Sequence, residues 1–210
     1  SYMKTDRIIK QAKSFNMFDY TLSLSELDIP HFINKHQDFI IKHKPGYGFW
    51  IWKPKIILKT LENMKVNDIL VYCDAGFYLN NKGLDRFKHY LSMLENKESI
   101  CVFTASEVYK AQHYVKNDAI MSYWPEFNNE WNTSCYAGII IIKKNEKTLE
   151  LIREWLALCE NYQYLDKSRS IKHKDLPHYG GNDCDNGLFN LCLSKHKNIV
   201  HKISPDEVNL

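Results

Sequence analysis

Apolar residues along the chain fall into two kinds of pattern. Short unbroken runs occupy 68–73 (DILVYC), 99–103 and 136–142, as expected for strands buried on both faces of a parallel sheet. Between them the spacing is helical. Leu84, Phe87, Leu91 and Leu94 share one helix face, and Leu149, Ile152, Trp155, Leu156 and Cys159 share another. Pro54 marks where a helix running to about Met64 begins, because the first turn leaves its N–H positions unbonded anyway. Strands alternating with amphipathic helices predict an α/β domain, with a central mixed, mostly parallel sheet flanked by helices. The polar stretch 161–182 is rich in Lys and His and reads as a long mobile loop, a lid hinged at Gly180-Gly181.

Composition narrows this picture. At 210 residues, 44% of them hydrophobic, the chain can bury one sizeable core, so 1–210 is expected to be a single domain, whole or the N-terminal part of a longer protein. The net charge of +3 is spread over 28 basic and 25 acidic residues. Lacking a long basic block, the chain is not expected to bind nucleic acid, whereas a mildly positive surface suits an anionic small molecule. Six scattered cysteines without C-x-x-C spacing read as reduced thiols of a cytoplasmic protein. The longest apolar runs fall far short of the ~20 residues a membrane helix needs, so no membrane span is expected.

The candidate chemistry gathers at two places. Asp74-Ala75-Gly76 closes the first strand, and ligands of open α/β sheets collect at strand carboxyl ends. A carboxylate there can hold a divalent cation that bridges two phosphates, and Gly76 lets backbone approach a ligand. The plain alternative is a turn after a strand. Just upstream, 46–54 (GYGFWIWKP) sets three large aromatic residues and Lys53 before a predicted helix start, where anions are favoured. Lys53 would add charge for a diphosphate and the rings would stack on a base or sugar; a hydrophobic core corner is the alternative.

The W-x-W-K-P block, a helix, and a strand ending Y-x-D-A-G together resemble glycosyltransferases of the GT-A fold, particularly small viral and bacterial capsule-type enzymes. Further matches at 7–12 (RIIKQA), Phe18-Asp19 and Trp155 extend the resemblance over nearly the whole chain. It implies donor binding by Trp52, Lys53, Tyr72, Asp74, Ala75 and Gly76, with Asp74 as ligand of Mn²⁺ or Mg²⁺. Gly76 stands where the better-known D-x-D signature has its second aspartate. The stretch 185–190 (DNGLFN) resembles the family's D-Q-x-I-L-N/S segment, which follows a strand like Ala137-Gly138-Ile139-Ile140. By that likeness Asp185 holds the donor sugar, and Asn186, in place of the usual glutamine, sits beside the reacting carbon. Asp183 is a further donor-binding residue and candidate acid or base, or else the cap of a helix starting near Asn186.

The resemblance implies metal-dependent transfer of a hexose or 6-deoxyhexose from a UDP-sugar to a glycan or glycoprotein acceptor. A viral capsid glycoprotein is one such acceptor, and the host cytoplasm is then the compartment. A nucleotidyltransferase is the rival enzyme, but its Gly-rich, Arg/Lys-bearing loop after the first strand is not visible. A non-catalytic glycan-binding module could use Tyr47, Trp50 and Trp52 for stacking and would need no carboxylate turn.

Overall fold

The computed structural model describes residues 2–95, 99–105, 109–127, 133–204 and 206, with 2–4 in backbone only. Four strands form one sheet: β1 (Ile69–Cys73), β2 (Ile100–Thr104), β3 (Cys135–Lys143) and β4 (Val200–Ile203), in the order β1-β3-β2-β4. The nine-residue β3 pairs antiparallel with both β1 and β2, and among the described residues only β2 and β4 run parallel. The sheet is therefore mixed but not mostly parallel, which corrects the expectation from sequence. An apolar run reports burial and carries no strand direction. β1 is also only half-buried along its length, since it lies at the sheet edge.

Helices cover both faces. They are α1 (Tyr2–Ser14), α2 (Pro30–Lys35), α3 (Gln37–Lys42), the single turn α4 (Gly46–Phe49), α5 (Trp52–Asn63), α6 (Leu84–Met93), α7 (Asn117–Tyr123), α8 (Glu146–Glu160), the short α9 (Tyr162–Leu165) and α10 (Cys184–Lys195). Side chains alternate along β2, so Ile100 and Val102 meet the core of α5, α8 and α10. Cys101 and Phe103 face the opposite way, onto Tyr90 and Leu94. The larger core centres on Trp155, Phe189, Ile57, Leu61, Ile140 and Ile142, all buried. Trp155 and Phe189 pack ring to ring at 4.5 Å. None of the six cysteines forms a disulfide. Among the described residues no helix is long and apolar enough to cross a membrane.

Two local features position the site. Helix α5 begins at Trp52, two residues ahead of Pro54, which stays within the first turn where its missing N–H is harmless. Before it, Gly46, Tyr47, Gly48, Phe49 and Trp50 all have left-handed φ, from 53° to 84°. Such a run costs about 1–2 kcal/mol at each non-glycine residue, so the surrounding packing must enforce it. The ring of Trp50 lies where a Cβ on Gly46 would stand, 2.3 Å away, so only glycine fits beneath it.

The segment 161–182, expected from its polarity to be a loop, opens with the short helix α9 and is tied to the domain at several points. Asp118, buried on α7, accepts backbone N–H bonds from Ile171 (2.6 Å), Lys172 (3.0 Å) and His173 (2.7 Å). Burial alone would raise its pKa, but those three donors outweigh it and hold the carboxyl below the usual range. The wholly buried Lys116 pairs with Asp166 and donates to Gln163 O and to Ser168 Oγ (2.9 Å). Asn182 Nδ2 meets the carbonyls of Tyr164, Leu165 and Asp166 within 3.0 Å. Lys116 and Asp118 at the start of α7, with Asn182 of the stretch itself, thus supply partners that it lacks in regular structure.

Candidate functional site

The strand ends and helix starts meet around Lys53. Its side chain, 5% exposed, reaches from the first turn of α5 to place Nζ 3.2 Å from Asp185 Oδ2 and 3.6 Å from Asp74 Oδ2. A lysine at a helix start sits in an unfavourable dipole field, so the two carboxylates must offset it. Asp185 is buried in the first turn of α10, where a negative charge is favoured. Its backbone oxygen accepts Trp155 Nε1 at 2.9 Å, which fixes the turn against α8. Burial pushes the Asp185 carboxyl up to about 7, against the pull of Lys53, and the charges of Asp183 and Asp74 add to the rise. The contact with Lys53 is an ion pair without hydrogen-bond alignment, so Oδ2 retains an unmet lone pair.

Asp74 occupies the open side of this cluster. Its backbone N–H continues the β1–β3 ladder by donating to Gly138 O at 2.7 Å, and its carbonyl accepts Phe77 N at 3.0 Å, closing the turn. Its carboxylate is a third exposed. Tyr72 donates its hydroxyl to Asp74 Oδ1 at 2.5 Å. Burial, then the charge of Asp74, push the Tyr72 hydroxyl well above its usual range, so it keeps the proton it shares. Among the described residues the N–H groups of Ala75 and Gly76 have no protein acceptor. A Cβ on Gly76 would meet nothing within 4 Å. Both groups lie in a turn that is exposed at Gly76, so the two adjacent donors are open to solvent or to an anionic ligand.

The remaining residues from the sequence reading separate into those that face this opening and those that support it. Asp183 is exposed at the start of α10 and makes no capping bond; it accepts Asn186 Nδ2 at 2.7 Å instead. Both ends of the Asn186 amide are engaged, because its Oδ1 also accepts Ala137 N at 2.7 Å. It stitches α10 to the start of β3. Trp52 spends its Nε1 on Gly46 O at 2.9 Å and packs against the main core, so it braces the left-handed turn. Trp50, 37% exposed, has its ring 5.9 Å from Lys53 Nζ.

Two residues outside the sequence-based site list shape the turn. Arg7 Nη2 donates to Ala75 O (2.7 Å) and Phe77 O (2.9 Å), while its guanidinium lies 3.5 Å over the Tyr78 ring. Gly138 leaves the room in which Asp74 sits, since a Cβ there would stand 3.0 Å from Asp74 Oδ2. Both lie in segments that carry the resemblance, which was the available signal.

The donor set does not make a preformed divalent-cation site. Asp74 has one oxygen bonded to Tyr72 and the other beside Lys53, and Asp185 is buried against the same ammonium. Among the described residues no three His, Cys, Asp or Glu side chains converge as metal ligands. Compared with family models, curated proteins and solved structures, the chain finds no match in any of the three.

Proposed function

We propose that the chain is a glycosyltransferase that binds the diphosphate of a UDP-sugar at the Asp74-Ala75-Gly76 turn and passes a hexose or 6-deoxyhexose to a glycan or glycoprotein acceptor. The observation that carries this reading is the turn itself: two unpaired N–H groups beside an open face, next to a carboxylate–lysine cluster. Negative charge develops on the departing diphosphate, and fixed backbone donors stabilise it without having to reorganise. Asp183, exposed beside the cluster, bonds Asn186 through Oδ2 and can offer its other oxygen to sugar hydroxyls. Asp185 is too buried for that role and Asn186 too committed; both hold the start of α10 and its carboxylate in place. Arg7 fixes the other flank through the Ala75 and Phe77 carbonyls.

The Mn²⁺ or Mg²⁺ implied by the resemblance gives a second reading, favoured by the partial exposure of Asp74. Such a cation would have that one carboxylate from the protein and would depend on the donor phosphates and water for the rest. Isothermal calorimetry with UDP and UDP-glucose, run in excess EDTA and again in MnCl₂, tests the main reading. Saturable binding in either condition supports a nucleotide-sugar site. Absence of binding in both sinks it and leaves the glycan-binding module, whose ligand would be an oligosaccharide alone.

A further inference from the structure

Lys53 is the unusual member of the cluster. Its ammonium is almost wholly shielded, yet it stands between carboxylates from two elements, Asp74 after β1 and Asp185 on α10. Keeping both such groups ionised in a poorly solvated place calls for a cation between them, because each carboxylate raises the cost of ionising the next. A divalent ion meets that need in many phosphate-handling sites. Here the space is already taken by a covalently attached charge. The remaining Asp74 oxygen is also spoken for, by the Tyr72 hydroxyl. Rings of Trp50 and Tyr72 lie 5.9 and 6.0 Å from Nζ and close the cluster around it.

We propose that Lys53 stands in for the divalent cation of this site, holding Asp74 and Asp185 together and cancelling their charge where an anionic donor arrives, so that a nucleoside diphosphate binds without metal. This rests on the reading of the Asp74 turn as the diphosphate site. Lys53 acts through the two carboxylates and need not touch the ligand. It is a positioning residue. The free Ala75 and Gly76 N–H groups make the contact with phosphate.

The test is calorimetry of UDP with the full chain, in excess EDTA and in saturating MnCl₂. The expected result is the same affinity in both, within about threefold. Affinity that rises more than this with Mn²⁺, or is lost in EDTA, overturns the proposal while sparing the nucleotide-sugar reading. Absence of binding in both conditions removes both. A second measurement uses Lys53→Met. Removing the ammonium is expected to weaken UDP binding in EDTA about tenfold or more, and Mn²⁺ is expected to recover part of it through the freed carboxylates. Lys53→Arg, which keeps a charge, should retain binding in EDTA. If Lys53→Met bound UDP in EDTA as the unaltered chain does, Lys53 would have no such role. Should that variant fail to fold, the metal comparison on the unaltered chain still decides the matter.

Discussion

Lys53 Nζ and Asp185 Oδ2 lie 3.2 Å apart with both side chains shut from solvent, 5% and 4% exposed. Ion pairs this deep contribute little net stability, yet losing one partner leaves the other charge stranded. Lys53→Met is therefore expected to destabilise the fold by about 3–5 kcal/mol. Lys53→Met combined with Asp185→Leu should recover most of that, because neither charge is then buried alone. Urea denaturation of the two single variants and the double variant measures the coupling. Additive losses would mean that the side chains do not act as a pair.

The same pair sets a pH dependence. The folded Asp185 carboxyl titrates near 7, pushed up mainly by burial, whereas an unfolded aspartate titrates near 4. Between those values the native chain holds a proton that the unfolded chain has lost. The contribution of Asp185 to stability is thus full below about pH 4 and falls as pH rises through 7, by up to about 4 kcal/mol. Asp185→Asn removes this titration. The difference in unfolding free energy, unaltered chain minus Asp185→Asn, should fall between pH 4.5 and 7.5, a window set by those two titrations. A flat difference would mean that Asp185 is ionised throughout.

Much of the scaffold was legible because burial leaves a pattern. The runs at 68–73, 99–103 and 136–142 became β1, β2 and β3 nearly residue for residue, and the two amphipathic stretches became α6 and α8. Direction was not legible, since β3 owes its antiparallel pairing to which neighbours it finds in space. The site showed the same split. The placement of Asp74, Ala75 and Gly76 in a turn at the carboxyl end of β1 was legible from the apolar run before them. The inward course of Lys53 depends on Asp185, far along the chain, and no local signal marks it. The anchoring of the stretch 161–182 was not legible because its acceptor, Asp118, lies upstream on another helix.

That anchor can be removed. Asp118→Ala deprives the N–H groups of Ile171, Lys172 and His173 of their acceptor and is expected to cost about 1–3 kcal/mol. The loss should be local first, since segments held by few bonds open below the global unfolding energy. Trypsin is the probe: cleavage after Lys172 and Lys174 should speed up well before the core unfolds. Equal cleavage of the variant and the unaltered chain would show that the segment is held by other contacts.

Gly138→Ala probes the other wall. Its Cβ would fall 2.8 Å from the Phe77 ring and 3.0 Å from Asp74 Oδ2. Both are ends of side chains that can turn aside, so the strain should pass into the site more than into the fold. The expectation is a stability loss of about 1 kcal/mol, with UDP affinity down about tenfold as Asp74 shifts. Thermal unfolding and calorimetry read the two effects separately. Unchanged UDP affinity, with the stability loss present, would detach Asp74 from donor binding.

Gly76→Ala separates ligand from protein most cleanly. Among the described residues nothing beyond its chain neighbours lies within 4 Å of the added methyl, and Gly76 is not in the left-handed region, so no backbone strain opposes the change. Stability should stay within about 0.5 kcal/mol, or rise slightly because alanine restricts the unfolded chain more than glycine does. If a diphosphate lies against the Ala75 and Gly76 N–H groups, however, the methyl occupies space that the ligand needs. UDP affinity should then fall about tenfold or more while the melting temperature of the free protein holds. Such a loss has no origin in the folded chain and must come from the ligand. If UDP bound to Gly76→Ala as it does to the unaltered chain, the phosphate would lie elsewhere, and the turn would be a turn only.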